Sequence, residues 1–132
     1  MRILICDDEG IVQQAIRFMI QKSFGDEFEI ESAKNGRMAI ELAESFRPDI
    51  ILMDIQMPNM DGYRATEMIR GLSDKDKATI PIIAMTANAF EEDRKKALAE
   101  GMNGHIAKPV DAEKVKKTIL SALSRQSEQV TY

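Results

Sequence analysis

Short apolar runs alternating with amphipathic segments predict an α/β domain, a doubly wound parallel sheet covered by helices on both faces. Residues 3–6 (ILIC), 50–53 (IILM) and 80–85 (IPIIAM) are apolar without polar alternation, the pattern of strands buried on two faces. Segments of helical apolar period separate them, joined by short connections. Five β-α repeats fill the 132 residues, leaving no room for a second domain. Such repeats imply right-handed crossovers and a single sheet.

The first strand, residues 3–6, runs into Asp7-Asp8-Glu9 and then a helix with the stripe Val12, Ala15, Ile16, Met19 and Ile20. Residues 28–33 (FEIESA) alternate apolar and acidic side chains, as a half-exposed edge strand does. Ala39, Ile40, Ala43 and Phe46 mark the second helix. The third strand ends on Asp54 and leads through "MPNMDG" to a helix with Ala65, Met68, Ile69 and Leu72. Gly62 fits a helix start that tolerates little side chain. The fourth strand ends at Thr86-Ala87. Residues 88–99 predict a weakly anchored helix, because the charged run 91–96 leaves only Ala89, Ala97 and Leu98 for a core face. Asn88 stands where its cap belongs. A short strand around Ile106-Ala107 follows, then a last helix capped by Asp111 with the stripe Ala112, Val115, Ile119, Ala122 and Leu123. The domain is expected over residues 1–124, with 125–132 a polar, frayed C-terminal tail.

Composition narrows the function. Charged residues at 30% and apolar residues at 44% fit an ordinary globular chain rather than a disordered one. A formal charge of −4 argues against a protein whose work is coating nucleic acid, since that requires neutralising phosphates with Lys and Arg. Lys95, Lys96, Lys114, Lys116 and Lys117 on the last two helices read most simply as a solvated mixed-charge surface. The single cysteine, Cys6, rules out an internal disulfide and a Cys-based zinc site, and packs best as a small buried hydrophobe. No apolar run is long enough for a bilayer, and the first is too short for a signal-peptide core. These features predict a cytoplasmic protein that makes no membrane contact.

Open parallel sheets bind ligands beyond the carboxyl ends of their strands. Asp7-Asp8, Asp54, Thr86 and Lys108-Pro109 fall at four such ends. Clustered carboxylates repel one another, and an apolar strand behind them lowers the local dielectric, so a cation belongs among them. Oxygen ligands without His or Cys suit a hard ion such as Mg²⁺. With the Lys108 ammonium and the Thr86 hydroxyl, they form a cradle for a phosphoryl group landing on a carboxylate. Each residue alone has a plain structural role: acids at a helix start, a surface lysine, a β-branched strand end. Their joint placement carries the inference.

Asp7-Asp8, Asp54 with "MPNMDG", "MTA" at 85–87 and "KP" at 108–109 together resemble the receiver domains of two-component response regulators, over residues 1 to about 123. The segment from Met85 to Asp111 looks especially like receivers fused to hybrid sensor histidine kinases. The resemblance implies a flavodoxin-like receiver fold with sheet order 2-1-3-4-5 and a cis peptide before Pro109. It makes Asp54 the phosphoacceptor, charged by a sensor histidine kinase or a histidine phosphotransfer protein. Asp8, Asp54 and the Gln56 carbonyl would hold Mg²⁺, with Asp7 acting through water. Lys108 would pair with Asp54 and then with the phosphoryl group, which Thr86 and the Ala87 N–H would also contact. Gln56 and Asn88 occupy the positions that tune phosphorylation lifetime.

His105, three residues before the lysine, replaces the aromatic residue that many receivers use with the threonine as a switch. It fits equally a half-buried imidazole on a short strand; at the switch position it would tie signalling to pH. The resemblance also implies a phosphorylation-controlled partner interaction, with a phosphorylation-dependent dimer among its forms. It leaves the downstream target unspecified and calls for neither direct nucleic-acid binding nor a classical enzyme activity.

Competing readings are a phosphorelay intermediate cut from a hybrid kinase, an Mg²⁺-dependent phosphohydrolase using an aspartyl-phosphate, and a binding module indifferent to phosphorylation. Hydrolases of the haloacid dehalogenase type carry a D-x-D pair and a cap insertion, whereas the acids here are adjacent and no insertion is present. The complete acid, Thr and Lys set argues against the binding module. Met1 directly before the first strand favours a complete protein or an N-terminal receiver.

Overall fold

A computed structural model describes residues 1–87 and 91–131, with side chains described except at 91, 93 and 125–131. The elements run β1 (Arg2–Cys6), α1 (Gly10–Phe24), a 3-10 turn (Gly25–Glu27), β2 (Glu29–Ala33), α2 (Gly36–Ser45) and β3 (Ile50–Asp54). They continue with α3 (Gly62–Arg70), the one-turn α4 (Lys75–Ala78), β4 (Ile82–Thr86), α5 (Glu91–Ala99), β5 (Gly104–Ala107) and α6 (Ala112–Thr131). The five strands form one parallel sheet in the order β2-β1-β3-β4-β5.

Side-chain alternation along each strand divides the interior into two cores. Ile3, Ile5, Ile50, Leu52, Ile83 and Met85 face α1 and α6, where Ile16, Ile20, Val115 and Ile119 meet them. Leu4, Cys6, Ile51, Met53, Ile82 and Ala84 face the opposite way, toward Ala39, Ala43, Ala65, Ile69 and Ala97. Both faces of the central strands are therefore apolar, which is why their sequences show no period of two. β2 lies at the edge, and Glu29 and Glu31 on it are exposed, as its alternating sequence predicts.

Several helix starts are fixed by side-chain caps. Asn35, Asp61, Asp74 and Asp111 accept from the backbone N–H of Met38, Arg64, Asp76 and Lys114, each at 2.9 Å. Asp111 thus caps as expected. The predicted stripes need local correction. In α1 it is Gln13 that is buried while Ala15 faces solvent. In α3, Met68 is exposed and Thr66 is buried, its hydroxyl donating to the Gly62 carbonyl at 2.7 Å. Leu98 of α5 is half exposed, and Ala97 is the one buried side chain among those described on that helix; Ala89 lies outside the described residues. Ala112 opens α6 in solvent. The backbone of residues 125–131 continues α6, where the sequence suggested a frayed tail after Ser124.

Candidate functional site

Every strand but β2 delivers a polar side chain to one edge of the sheet. β1 runs out into Asp7 and Asp8, β3 ends on Asp54, β4 on Thr86, and Lys108 follows β5. Asp7, Asp54 and Thr86 are buried, whereas Asp8 is exposed. One carboxylate oxygen from each of Asp7, Asp8 and Asp54 lies within 4.8 Å of the others.

Lys108 ties the buried pair together. Its Nζ donates to Asp7 Oδ2 at 3.0 Å and to Asp54 Oδ2 at 3.3 Å. The remaining oxygens are also held: Asp7 Oδ1 accepts from the Glu9 N–H at 2.9 Å, and Asp54 Oδ1 from the Gln56 N–H at 3.0 Å. Lys108 reaches the site because β5 lies beside β4, where the Lys108 N–H donates to the Thr86 carbonyl at 2.7 Å. The peptide bond from Lys108 to Pro109 is cis.

Burial dominates the electrostatics of Asp54 and pushes its carboxyl pKa above the usual range. The Gln56 N–H opposes that shift, the Asp7 charge adds to it, and Lys108 opposes it again. For the Lys108 ammonium, burial pulls the pKa down. The Asp7 hydrogen bond and the charges of Asp54 and Asp7 outweigh that pull, so it stands above the ordinary lysine value. Cys6, one residue before Asp7, has its thiol pushed far up by burial, which leaves it an inert hydrophobe.

Asp7 and Asp54 thus share the Lys108 ammonium, and among the described residues Asp8 has no salt bridge of its own. Their ligand atoms are all oxygen, close together, and open to solvent at Asp8, which suits Mg²⁺ with its retained waters. The loop after Asp54 is held tightly against the strand end. A Cβ on Gly62 would overlap the Asp54 carbonyl oxygen and stand 2.8 Å from Ile55 Cα, so only glycine fits there without a shift.

A family model described as the response regulator receiver domain matches residues 3–120. The chain belongs to that family. As a receiver domain it is 36% identical over 119 residues to the sensor histidine kinase RcsC of Escherichia coli K12, covering 90% of this chain and 12% of that protein. It is 38% identical over 127 residues to the regulatory protein AtoC of the same organism, covering 96% of this chain and 26% of that one. The receiver therefore spans a small part of the length of these relatives. The receiver domain of the Pseudomonas aeruginosa sensor histidine kinase PA1611 superposes with a TM-score of 0.81 at 35% identity, over 93% of this chain and 97% of that one. That structure has a magnesium ion coordinated in its active site cleft.

Set against the sequence expectations, this receiver brings Asp7, Asp8, Asp54 and Lys108 into one cluster, with Thr86 buried at the adjoining strand end. Gln56 and Ala87 follow Asp54 and Thr86 as exposed residues. His105 does not join the cluster. It is half-buried on β5 and lines a groove with Asp76, Arg94, Leu98 and Lys117, between the sheet and α5 and α6. Asn88 lies outside the described residues. Two contributors escaped the sequence: the Glu9 backbone, and Gln13, a polar residue on an otherwise apolar helix face. The described residues include no helix long and apolar enough to cross a membrane.

Proposed function

We propose that this receiver accepts a phosphoryl group on Asp54 from a phosphohistidine and so switches its contacts with a partner. The observation that carries the reading is the buried Asp54 carboxylate, hydrogen-bonded to Lys108 and standing within ligand distance of Asp7 and Asp8. The donor's P–N bond breaks as a P–O bond forms to an Asp54 oxygen, and the imidazole leaves with the bonding electron pair. Asp54 reacts as the carboxylate; the Gln56 N–H and Lys108 favour that form against burial. Lys108, freed from sharing, follows the negative charge onto the phosphoryl oxygens. The Thr86 hydroxyl and the Ala87 N–H, at the neighbouring strand end, complete the phosphoryl contacts.

Asp8, Asp54 and the Gln56 carbonyl would hold Mg²⁺, which neutralises the acids and the incoming phosphoryl oxygens. Asp7, fully buried with Lys108 on its carboxylate, acts at one remove through water. Gln56, exposed two residues past Asp54, tunes the lifetime of the phosphorylated state together with Asn88. Thr86 and His105 form the switch, and the phosphorylated form either dimerises or docks a downstream target. The donor is a sensor histidine kinase or a histidine phosphotransfer protein, working in the cytoplasm.

Likeness to a receiver within a sensor kinase supports a second reading, that the phosphoryl group is passed onward to a phosphotransfer histidine. The primary test is incubation with Mg²⁺ and acetyl phosphate, followed by intact mass. One phosphoryl adduct is expected on the wild type and none on Asp54→Asn; no adduct on the wild type, or one persisting in the variant, overturns the assignment. Relay activity is read by adding a phosphotransfer protein to the labelled chain and following loss of label to it.

A further inference from the structure

We infer that Gln13 is a positioning residue that sets the relative direction of the Asp7 and Asp8 carboxylates, an inference that rests on the metal-assisted reading above. Gln13 is buried on α1, its side-chain Nε2 donating to the Asp7 carbonyl at 2.5 Å and to the Ala33 carbonyl at 2.9 Å. Both partners are backbone carbonyls, which only accept, so the amide nitrogen has to face them and both its hydrogens are used.

The place of these bonds gives them their consequence. β1 and β2 pair in parallel up to Cys6 and Ala33, and the Asp7 N–H donates to the Ala33 carbonyl at 3.0 Å. The sheet ladder ends there, so the Asp7 carbonyl lies beyond the regular strand pairing. Gln13 takes over at that point and bridges both strand ends from the helix. The Asp7 carbonyl belongs to the planar peptide unit that also carries the Asp8 nitrogen. Holding that plane fixes how the chain passes from the buried Asp7, with Lys108 on its carboxylate, to the exposed Asp8. The two acids flank a single peptide unit, and Gln13 is the side chain bonded to it. A neutral amide serves here without adding charge to a cluster already rich in carboxylates.

Residues that orient metal ligands from behind typically change metal affinity by about 10–100-fold when removed. Gln13→Met keeps the length and drops both donors; Gln13→Arg keeps N–H donors on a longer stem. Mg²⁺ affinity is measured by titration calorimetry on wild type, Gln13→Met, Gln13→Arg and Asp8→Asn, with amide hydrogen exchange at Asp7 and Asp8 in the metal-free chains. Gln13→Met is expected to bind Mg²⁺ about 10-fold more weakly or worse and to exchange faster at Asp7 and Asp8. Gln13→Arg should recover most of both. Should Gln13→Met not fold, Gln13→Asn, one methylene too short to reach both carbonyls, carries the same expectation. Unchanged affinity and exchange in Gln13→Met, or an arginine variant as weak as the methionine one, overturns the positioning role while the metal site stands. Failure of the wild type to bind Mg²⁺ at all overturns the metal reading itself, and the inference with it.

Discussion

Gly62 opens α3 directly behind the carbonyl of Asp54, and a methyl group there has backbone atoms on its path rather than a yielding side chain. Gly62→Ala therefore forces the start of α3 away from β3. We expect a loss of about 1–3 kcal/mol, the usual cost of overpacking, seen as a lower urea midpoint at unchanged slope. Asp54 behaves in the opposite sense. Burial raises the Asp54 pKa, so the folded chain holds that proton more tightly than the unfolded chain does. Its contribution to stability is then most favourable below the unfolded carboxylate value and falls as pH rises through the raised folded value. Asp54→Asn should be more stable than metal-free wild type at neutral pH, and the gap should close on acidification. Urea midpoints of both chains across the acid-to-neutral range check this; a gap constant with pH would show that the charge of Asp54 is not its source.

Among the elements, α3 is joined to the far end of the sheet by one side chain. Arg70 donates to the carbonyls of Gly101 at 2.9 Å, Ala78 at 2.9 Å and Ile80 at 2.7 Å, and to Asn103 Oδ1 at 2.8 Å. Four acceptors from the segments leading into β4 and β5 converge on a guanidinium that burial holds below its usual pKa. Lysine has neither the fork nor the reach to replace it. Arg70→Lys is expected to cost about 2–3 kcal/mol, in the range of one charged hydrogen bond lost at a half-buried site, with hydrogen-exchange protection falling first in β4 and β5. The central strands β1, β3 and β4 were legible in the sequence because both their faces are apolar, and β2 because its edge place leaves Glu29 and Glu31 in solvent. Helix faces were less so. Alanine and methionine tolerate either environment, hence the misplacement of Ala15 and Met68, while Gln13 and Thr66 are buried through hydrogen bonds that an apolar period cannot register. α4, capped by Asp74 between loops, is too short a turn for any period.

Over the whole molecule, the sheet gathers its unbalanced charge at one edge. Asp7, Asp8, Asp54 and Lys108 were readable in advance because parallel strands all end on the same side, so position along the chain translates into proximity. What spacing does not reveal is the sharing of Lys108 between Asp7 and Asp54, which depends on the depth of each carboxylate. That sharing leaves the metal-free edge short of positive charge, and a divalent ion bound only by the folded chain must stabilise it by mass action. At free Mg²⁺ about 100-fold above the dissociation constant, the expected gain is about 2.7 kcal/mol. Asp8→Asn and Asp54→Asn should each lose most of that gain, and a chelator should abolish it in the wild type. The gain carries its own pH dependence. A protonated Asp54 offers no carboxylate to the ion, so Mg²⁺ stabilisation is full above the raised Asp54 pKa and is lost as pH falls through it. Thermal midpoints with and without Mg²⁺ across that range measure the effect directly. An increment equal in wild type and Asp54→Asn, or one that grows toward acid, would place the ion elsewhere on the surface.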